Sequence, residues 1–341
     1  MSEKTFEDLK PIFRPPGIHP GIMKIIHEKC TKCGLCVQNC PMACFEWEKD
    51  SDDFPKMKEG NVGCFSCFNC MVACPVDAVE IVETWRVEGG PFDQGWPMQK
   101  PPLEPRDAEG NLSEWNVVER TVLERRSVRN FKAEPVSAHL IRRVLEAGRF
   151  GPSAGNNQNW KFAVVTDKAF LNELEQAAFT LWSAVHAQYH DDAQVVGLWQ
   201  AFGGELMPPG AVEPRGIIRG VDCLVDKQLA SFLNAPCVIF VGGNNNMFSP
   251  DVQVGIAGQN MNIVAHSLGL GMCWSGFGSI AIDLNPEMKK KLGFDGDWRI
   301  IAALCMGYPK FKQKGLVKRH YRPVTWFRQG GAGPEVEYKG A

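Results

Sequence analysis

Cysteine dominates the chemistry that this sequence could perform. Cys30-x2-Cys33-x2-Cys36-x3-Cys40-Pro41 is followed by an identical run, Cys64-x2-Cys67-x2-Cys70-x3-Cys74-Pro75. Three thiolates in one tight loop can reach three corners of a 4Fe–4S cubane, and the fourth corner must be met from elsewhere. One cluster is therefore expected on Cys30, Cys33, Cys36 and Cys74, and a second on Cys64, Cys67, Cys70 and Cys40. A zinc ribbon needs only four ligands in two CxxC pairs, so eight cysteines in two proline-closed runs exceed that need. The remaining five, Cys44, Cys223, Cys237, Cys273 and Cys305, stand singly in apolar surroundings and read as small buried hydrophobes.

A second set of groups could hold an anion. Arg125-Arg126-Ser127-Val128-Arg129 places three guanidiniums and a hydroxyl within five residues, which suits a phosphate. Taken alone, it could equally be a solvated basic helix end. The segment Gly151-Pro-Ser-Ala-Gly-Asn-Asn-Gln-Asn-Trp160 combines small residues, which admit a flat ligand close to the backbone, with the directional amides of Asn156 and Gln158. Taken alone, it could be a helix-to-strand turn. His266 reads as a core or interface histidine, and Trp182, Trp199 and Phe202 as core or lid packing. No acid–base pair is recognisable from spacing, so no catalytic proton donor is assigned.

The elements that must position these groups fall into two regions. Residues 1–83 form the cysteine module, whose first twenty residues look irregular because Pro11, Pro15, Pro16, Gly17 and Pro20 oppose a helix. Residues 84–116 carry five prolines and no periodicity, and read as a linker whose Trp85, Trp96 and Trp115 favour docking on the surface. From Val117 helix and strand patterns alternate. Helices are expected over Val117–Arg126, Val136–Phe150, Ala169–His190 and Val252–Leu268, the last closed by Gly269. Strands are expected over Lys161–Thr166, Pro236–Val241, Gly271–Ser275 and Ile300–Met306. Residues 190–233 look like an insertion and a candidate lid. The second domain is expected to span 117–330, with 331–341 as a tail.

Composition narrows the function. The 341 residues are 44% hydrophobic and 22% charged, ordinary for a globular protein, and length alone suggests two domains. A net charge of −2 gives no reason to expect a nucleic-acid partner or an anionic membrane. No apolar run approaches a membrane span, and the first residues lack an export segment, so a cytoplasmic protein is expected. Thirteen cysteines in that setting do not form a disulfide framework. Through residue 85 nine Lys and Arg face thirteen Asp and Glu, whereas the remainder carries 28 against 26, so an acidic module is joined to a slightly basic one.

Together these motifs resemble two known families. The N-terminal runs resemble bacterial two-cluster ferredoxins. RRSxR, then PSxxNxQ-x-W, then GLGMCWSGF (Gly269–Phe277) and Gly307-Tyr308-Pro309 before a basic segment resemble the nitroreductase family of FMN flavoproteins over essentially all of residues 117–325. The resemblance implies an α+β fold with a mainly antiparallel sheet and an interlocked homodimer. It also implies that Arg125, Ser127 and Arg129, with Arg126 beside them, contact the ribityl phosphate and flavin edge. Pro152, Ser153, Ala154 and Asn156 are similar to the loop that packs on the isoalloxazine of the other subunit. Ser275 and Gly276 match the position whose backbone N–H reaches flavin N5, and Arg319 and Arg322 are candidates for a second clamp on the phosphate. Asn159 departs from the proline usual there, which is expected to loosen the turn.

An iron–sulfur flavoprotein oxidoreductase follows as the expectation. Electrons would pass from an external donor, such as reduced ferredoxin, through two 4Fe–4S clusters to FMN and then to an electron-poor small molecule. Two alternatives remain: NAD(P)H as the reductant with the clusters as exit path, or a non-catalytic electron-transfer subunit.

Overall fold

The computed structural model describes residues 5–13, 17–49, 51–59, 63–89, 102–201, 220–226, 229–313, 316–317, 319, 322–331 and 333–337. They divide into two units: described residues through Glu124 and from Gln313 onward form the first, and 125–201 with 220–312 form the second. Residues 90–101, including Trp96, and 202–219, the centre of the expected lid with Phe202, lie outside the described set, as does the Trp199 side chain.

In the first unit a helix, α1 (Phe6–Phe13), replaces the irregular arm expected for residues 1–20. The backbone N–H and the hydroxyl of Thr5 both donate to Asp8 Oδ2 at 3.0 Å, which fixes its first turn. Pro11 forfeits one backbone hydrogen bond, and full burial of Leu9, worth about 1.5–3 kcal/mol, offsets that loss. The cysteine module then runs β1 (Ile18–His19), β2 (Ile22–Ile25), α2 (Leu35–Gln38), β3 (Phe45–Glu46), β4 (Lys56–Met57), α3 (Asn69–Ala73), β5 (Val79–Glu83) and β6 (Arg86–Val87). Strands β1 and β6, β2 and β5, and β3 and β4 pair antiparallel. The module thus continues past the expected end at Glu83. Trp85 and Val87 are buried, and the Trp85 N–H donates to Ser66 Oγ at 2.9 Å, so this part of the expected linker belongs to the module core. Helix α4 (Val117–Glu124), with no buried residue, ends the N-terminal part of this unit.

The second unit is built on a four-stranded sheet. Its elements are α5 (Ala138–Arg149), β7 (Lys161–Val165), α6 (Lys168–His190), α7 (Asp192–Ala201), α8 (Val221–Val225), β8 (Cys237–Asn244), α9 (Pro250–Ser267), β9 (Gly271–Trp274), α10 (Gly276–Asp283), α11 (Pro286–Lys291) and β10 (Trp298–Gly307). Strand order is β7-β8-β10-β9, and every pair is antiparallel. A parallel bridge from Ser127 to Met272 extends the β9 edge, which makes the sheet mixed but mainly antiparallel, as expected.

Strand alternation sorts the core into two layers. Val238 and Phe240 of β8 and Ala303 and Cys305 of β10 pack in the cluster that includes Leu174 and Trp182 of α6, Leu224 of α8 and Ile282 of α10. Cys237, Ile239 and Val241, with Ala302, Leu304 and Met306, face the opposite layer under α5 and α9. Ile300 lies on the same side as Ala303 because the register shifts between Ile300 and Ala302, and one extra residue inverts the phase. With both faces covered, β8 is buried from Cys237 to Gly243. Helix α9 ends with Gly269 N–H bonded to His266 O and Leu270 N–H to Ala265 O, the paired closure its Gly269 suggested. The chain returns to the first unit at Gln313, earlier than the expected boundary at 330, and β11 (Val324–Trp326) pairs there with β12 (Glu335–Glu337).

Candidate functional site

The two cysteine runs fold as near copies. Left-handed backbone recurs at matching places: Lys32 (φ 53°) and Ser66 (57°), Gly34 (69°) and Phe68 (61°), Ala43 (48°) and Asp77 (50°). A bulky Phe in that region is costly, so the geometry of the second loop is imposed rather than free. Helices α2 and α3 each start one residue after the second of these positions. After each run the backbone N–H of Cys44 or Ala78 donates 3.2 Å to the sulfur of Cys40 or Cys74.

The thiols also cross over between runs. Cys36 lies close to Cys33, Cys30 and Cys74, and burial pushes its thiol up to about 11. Cys70, pushed well above the usual thiol range by burial, lies near Cys67, Cys40 and Cys36. Cys40 is pushed up as well, first by its hydrogen bond with Cys44 and then by burial. Cys30, Cys33, Cys36 and Cys74 line one small pocket with Ile25, Pro55 and Val79. Cys64, partly buried, opens the second loop, and its carbonyl accepts from the Gly21 N–H at 2.9 Å. Buried thiols at this density are costly to ionise unless an iron core neutralises them, so the donor set fits thiolate-bound clusters.

In the second unit the basic segment is not helical: it begins after α4 ends at Glu124 and joins the sheet at Ser127. Val128 N–H donates to Met272 O at 3.1 Å beside the Ser127–Met272 bridge. Arg125, Ser127 and Arg129 all lie near Cys273 of β9: burial pushes that thiol up, while the Arg129 and Arg125 guanidiniums and a hydrogen bond with Ser127 oppose the shift. Arg126 has a different setting. It is 8% exposed and its guanidinium donates to the Arg125 carbonyl at 2.7 Å, so it braces the segment and does not join the other two arginines. Val128 closes on β9 at Gly271, where any Cβ would fall 2.6 Å from the valine. Cys273 was legible only as a buried hydrophobe, and nothing in its spacing marked it as the floor of this cradle.

Ser275 and Gly276 divide their roles. Ser275 N–H is bonded to Ala303 O at 2.8 Å, and its hydroxyl donates to Ser231 O at 2.6 Å and accepts from Gly278 N–H at 3.0 Å, capping α10. Ser275 therefore positions the turn and does not offer its N–H. Gly276 opens α10 with an exposed backbone, and a Cβ there would meet nothing within 4 Å. Helix α10 thus presents the start of its first turn, whose N–H groups lack intrahelical acceptors, to open space. A cationic cradle and an open helix start on the same strand–turn–helix fit a flat cofactor bearing a phosphate.

The loop after α5 is seated on α9, with Gly151 against Ile256 and Ala257. Ser153 Oγ accepts from Gln158 N–H at 3.0 Å, leaving Pro152, Ala154, Asn156 and Gln158 exposed. Asn159 does not loosen this turn. It is 1% exposed: its N–H reaches Gln253 Oε1 at 3.2 Å, its Nδ2 donates to Asn244 O at 3.0 Å, and its Oδ1 accepts from Asn244 N–H at 2.7 Å. Trp182 is a core residue, its ring edge-on to Phe277 at 5.1 Å. His266 is half-buried on α9. Arg319 and Arg322 are exposed and belong to the first unit, whereas the Arg125–Arg129 cradle belongs to the second. No described helix is long and apolar enough to cross a membrane.

Comparison with known proteins agrees with both halves. Residues 122–308 match the nitroreductase family and residues 29–78 match the 4Fe-4S dicluster domain. A nitrobenzene nitroreductase of Ectopseudomonas oleovorans is 24% identical over 201 residues, covering 56% of this chain and 86% of that protein. An NADH dehydrogenase of Thermus thermophilus is 46% identical over 57 residues of the N-terminal region, 17% of this chain and 28% of that protein. The chain spans 64% of a putative NADH dehydrogenase/NAD(P)H nitroreductase of Methanothermobacter thermautotrophicus, at 27% identity over 171 residues. Among solved structures, a nitroreductase with bound FMN from Desulfitobacterium hafniense is 25% identical and superposes with a TM-score of 0.46 over 60% of this chain and 96% of that one. The chain belongs to the nitroreductase family and carries a two-cluster 4Fe–4S domain ahead of it.

Proposed function

We propose that this chain is an FMN-dependent oxidoreductase that takes single electrons from an external donor into its 4Fe–4S domain and delivers them to FMN. The acceptor is then an electron-poor small molecule: a nitro compound, activated alkene, quinone or halogenated compound. The observation that carries this reading is the pairing, in one chain, of two cysteine loops whose thiols approach each other across the two runs with a family domain whose Arg125, Ser127 and Arg129 lie near Cys273, on the strand that leads into α10. When bound, FMN supplies the hydride or electron chemistry and the clusters supply the one-electron steps.

The protein's own residues do the rest. Cys30, Cys33, Cys36 and Cys74 hold one cluster, and Cys64, Cys67, Cys70 and Cys40 the other. Arg125, Arg129 and Ser127 bind the phosphate by charge-assisted hydrogen bonds, with Arg126 bracing their backbone. Gly276 N–H orients the ring edge, and Ser275 holds that turn in place. Pro152, Ser153, Ala154, Asn156 and Gln158 cover the ring of a partner subunit. This arrangement requires a homodimer with two flavins, and light scattering on flavin-loaded protein should give twice the chain mass. A flavin-loaded monomer would refute it.

The names of the relatives make NAD(P)H the competing reductant. Anaerobic protein should contain about eight iron, eight sulfide and one FMN per chain. Its visible spectrum should bleach with reduced ferredoxin, and a nitroarene should restore it. Bleaching by NADH or NADPH at a comparable rate would reverse the assignment of donor, and zinc without sulfide would remove the clusters altogether.

A further inference from the structure

A cluster of metal-ligating side chains lies outside the groups described so far. His186 and His190 are one turn apart on α6, and Asp222 and Asp226 belong to α8 and its C-terminal cap. His190 Nε2 lies 3.1 Å from Asp222 Oδ1. His186 Nε2 lies 3.6 Å from the same oxygen and 3.4 Å from Asp226 Oδ1. The ligand atoms of His186, His190 and Asp222 all fall within 4.8 Å of one another, and the two imidazole rings lie 4.4 Å apart.

Simple histidine–carboxylate pairing explains half of this arrangement. It accounts for His190, which hydrogen-bonds Asp222. It fails for His186, whose Nε2 is buried and makes no hydrogen bond although two carboxylates point toward it. A buried donor or acceptor left without a partner is destabilising. A tetrahedral ion bound by imidazole and carboxylate at about 2.0–2.2 Å holds neighbouring donor atoms roughly 3.3 Å apart. The three imidazole–carboxylate separations, 3.1, 3.4 and 3.6 Å, bracket that value, and every ligand-atom pair among His186, His190 and Asp222 lies within 4.8 Å.

We propose that His186, His190 and Asp222, with Asp226 beside His186, form a binding site for one divalent transition-metal ion of the zinc class. Two carboxylates neutralise a dication, and two imidazoles favour zinc-like ions over magnesium or calcium, which prefer all-oxygen sites. The site joins α6 to α8. One turn before His186, Trp182 Nε1 donates to the Phe277 carbonyl at 3.2 Å. Gly220, at the start of α8, packs so closely on the Phe277 ring that a side chain there would collide with it. Phe277 follows Gly276, so the ion braces two elements against the start of α10, and its role is structural and not catalytic.

The test uses intact protein whose iron, sulfide and FMN contents have been verified, titrated anaerobically with zinc against a chromophoric chelator. One zinc ion per chain should bind beyond the clusters, and saturating zinc should raise the melting temperature. The double variant His186→Ala/His190→Ala should bind at least about tenfold more weakly and lose the thermal shift. Should that variant fold poorly, Asp226→Asn changes a mostly exposed carboxylate and should weaken zinc binding while leaving iron, sulfide and FMN contents unchanged. Magnesium at the same concentration should not shift the melting temperature. Absence of zinc binding in the wild type, or equal affinity in all three proteins, would overturn the proposal, as would an equal shift with magnesium.

Discussion

Asn159 shows how a single residue can look like a weakness in sequence and act as a clasp in the fold. As a departure from proline it suggests a looser turn, yet proline there would lack the N–H that reaches Gln253 and the amide that holds both backbone groups of Asn244. Its partners lie 85 and 94 residues away in the chain, so no local pattern could reveal them. Asn159→Ala should destabilise the second unit by about 2–6 kcal/mol, because it leaves both Asn244 backbone groups short of a partner at roughly 1–3 kcal/mol each. Denaturant unfolding measures this directly, and a loss below about 1 kcal/mol would mean that water replaces the amide. The cluster thiols are the opposite case. Their types and spacing carried the whole inference, because a cubane fixes where sulfur must be and tolerates little else between. The scattered cysteines were equally readable as apolar residues, and all five are buried.

At the scale of elements, the second unit was largely legible. Its sheet strands and long helices fall within a few residues of the positions set by their periodicity, since each buries one face or is buried throughout. Short elements were not legible: β1 and β6 have two residues each, and they pair Ile18 with Val87 and His19 with Arg86, far apart in the chain. Nor was α1, because the cost assigned to Pro11 took no account of Leu9. The helix expected through Arg126 ends at Glu124, and the segment after it joins β9 at Ser127. Arg125 and Arg129 act on Cys273 whereas Arg126 donates to the Arg125 carbonyl, and that difference makes the site testable. Arg125→Ala or Arg129→Ala removes a charge-assisted hydrogen bond worth roughly 1.5–3 kcal/mol, which corresponds to a loss of FMN affinity of roughly 10- to 150-fold. Arg126→Ala should instead lower thermal stability and leave FMN affinity nearly unchanged. Flavin fluorescence on dilution reads all three. Full retention of FMN in both Arg125→Ala and Arg129→Ala would move the phosphate site, and Arg319 and Arg322 would become its best remaining cations.

For the molecule as a whole, the question is why a doubled cysteine module shares a chain with a nitroreductase-family domain. A flavin exchanges two electrons, whereas a 4Fe–4S cluster handles one at a time, so on the proposed electron path two clusters would let a one-electron donor load the second domain stepwise. Sharing a chain raises the effective concentration of the donor module without any new interface. The near-copy geometry of the two loops, with Cys40 and Cys74 exchanged between them, means that one substitution can disable one cluster and leave the other with all its ligands. Cys70→Ser is suited to this because Cys70 is buried beside Cys67 and Cys40, and serine is nearly isosteric. Iron and sulfide should fall from about eight to about four per chain, and FMN content should stay constant. Turnover driven by dithionite, which can reduce flavin directly, should persist, while turnover driven by reduced ferredoxin should fall steeply. A variant that loses half its iron yet accepts electrons from ferredoxin as fast as the wild type would exclude the clusters from the entry path. They would then serve as an exit route or as a structural core, and the reductant would have to reach the second domain by itself.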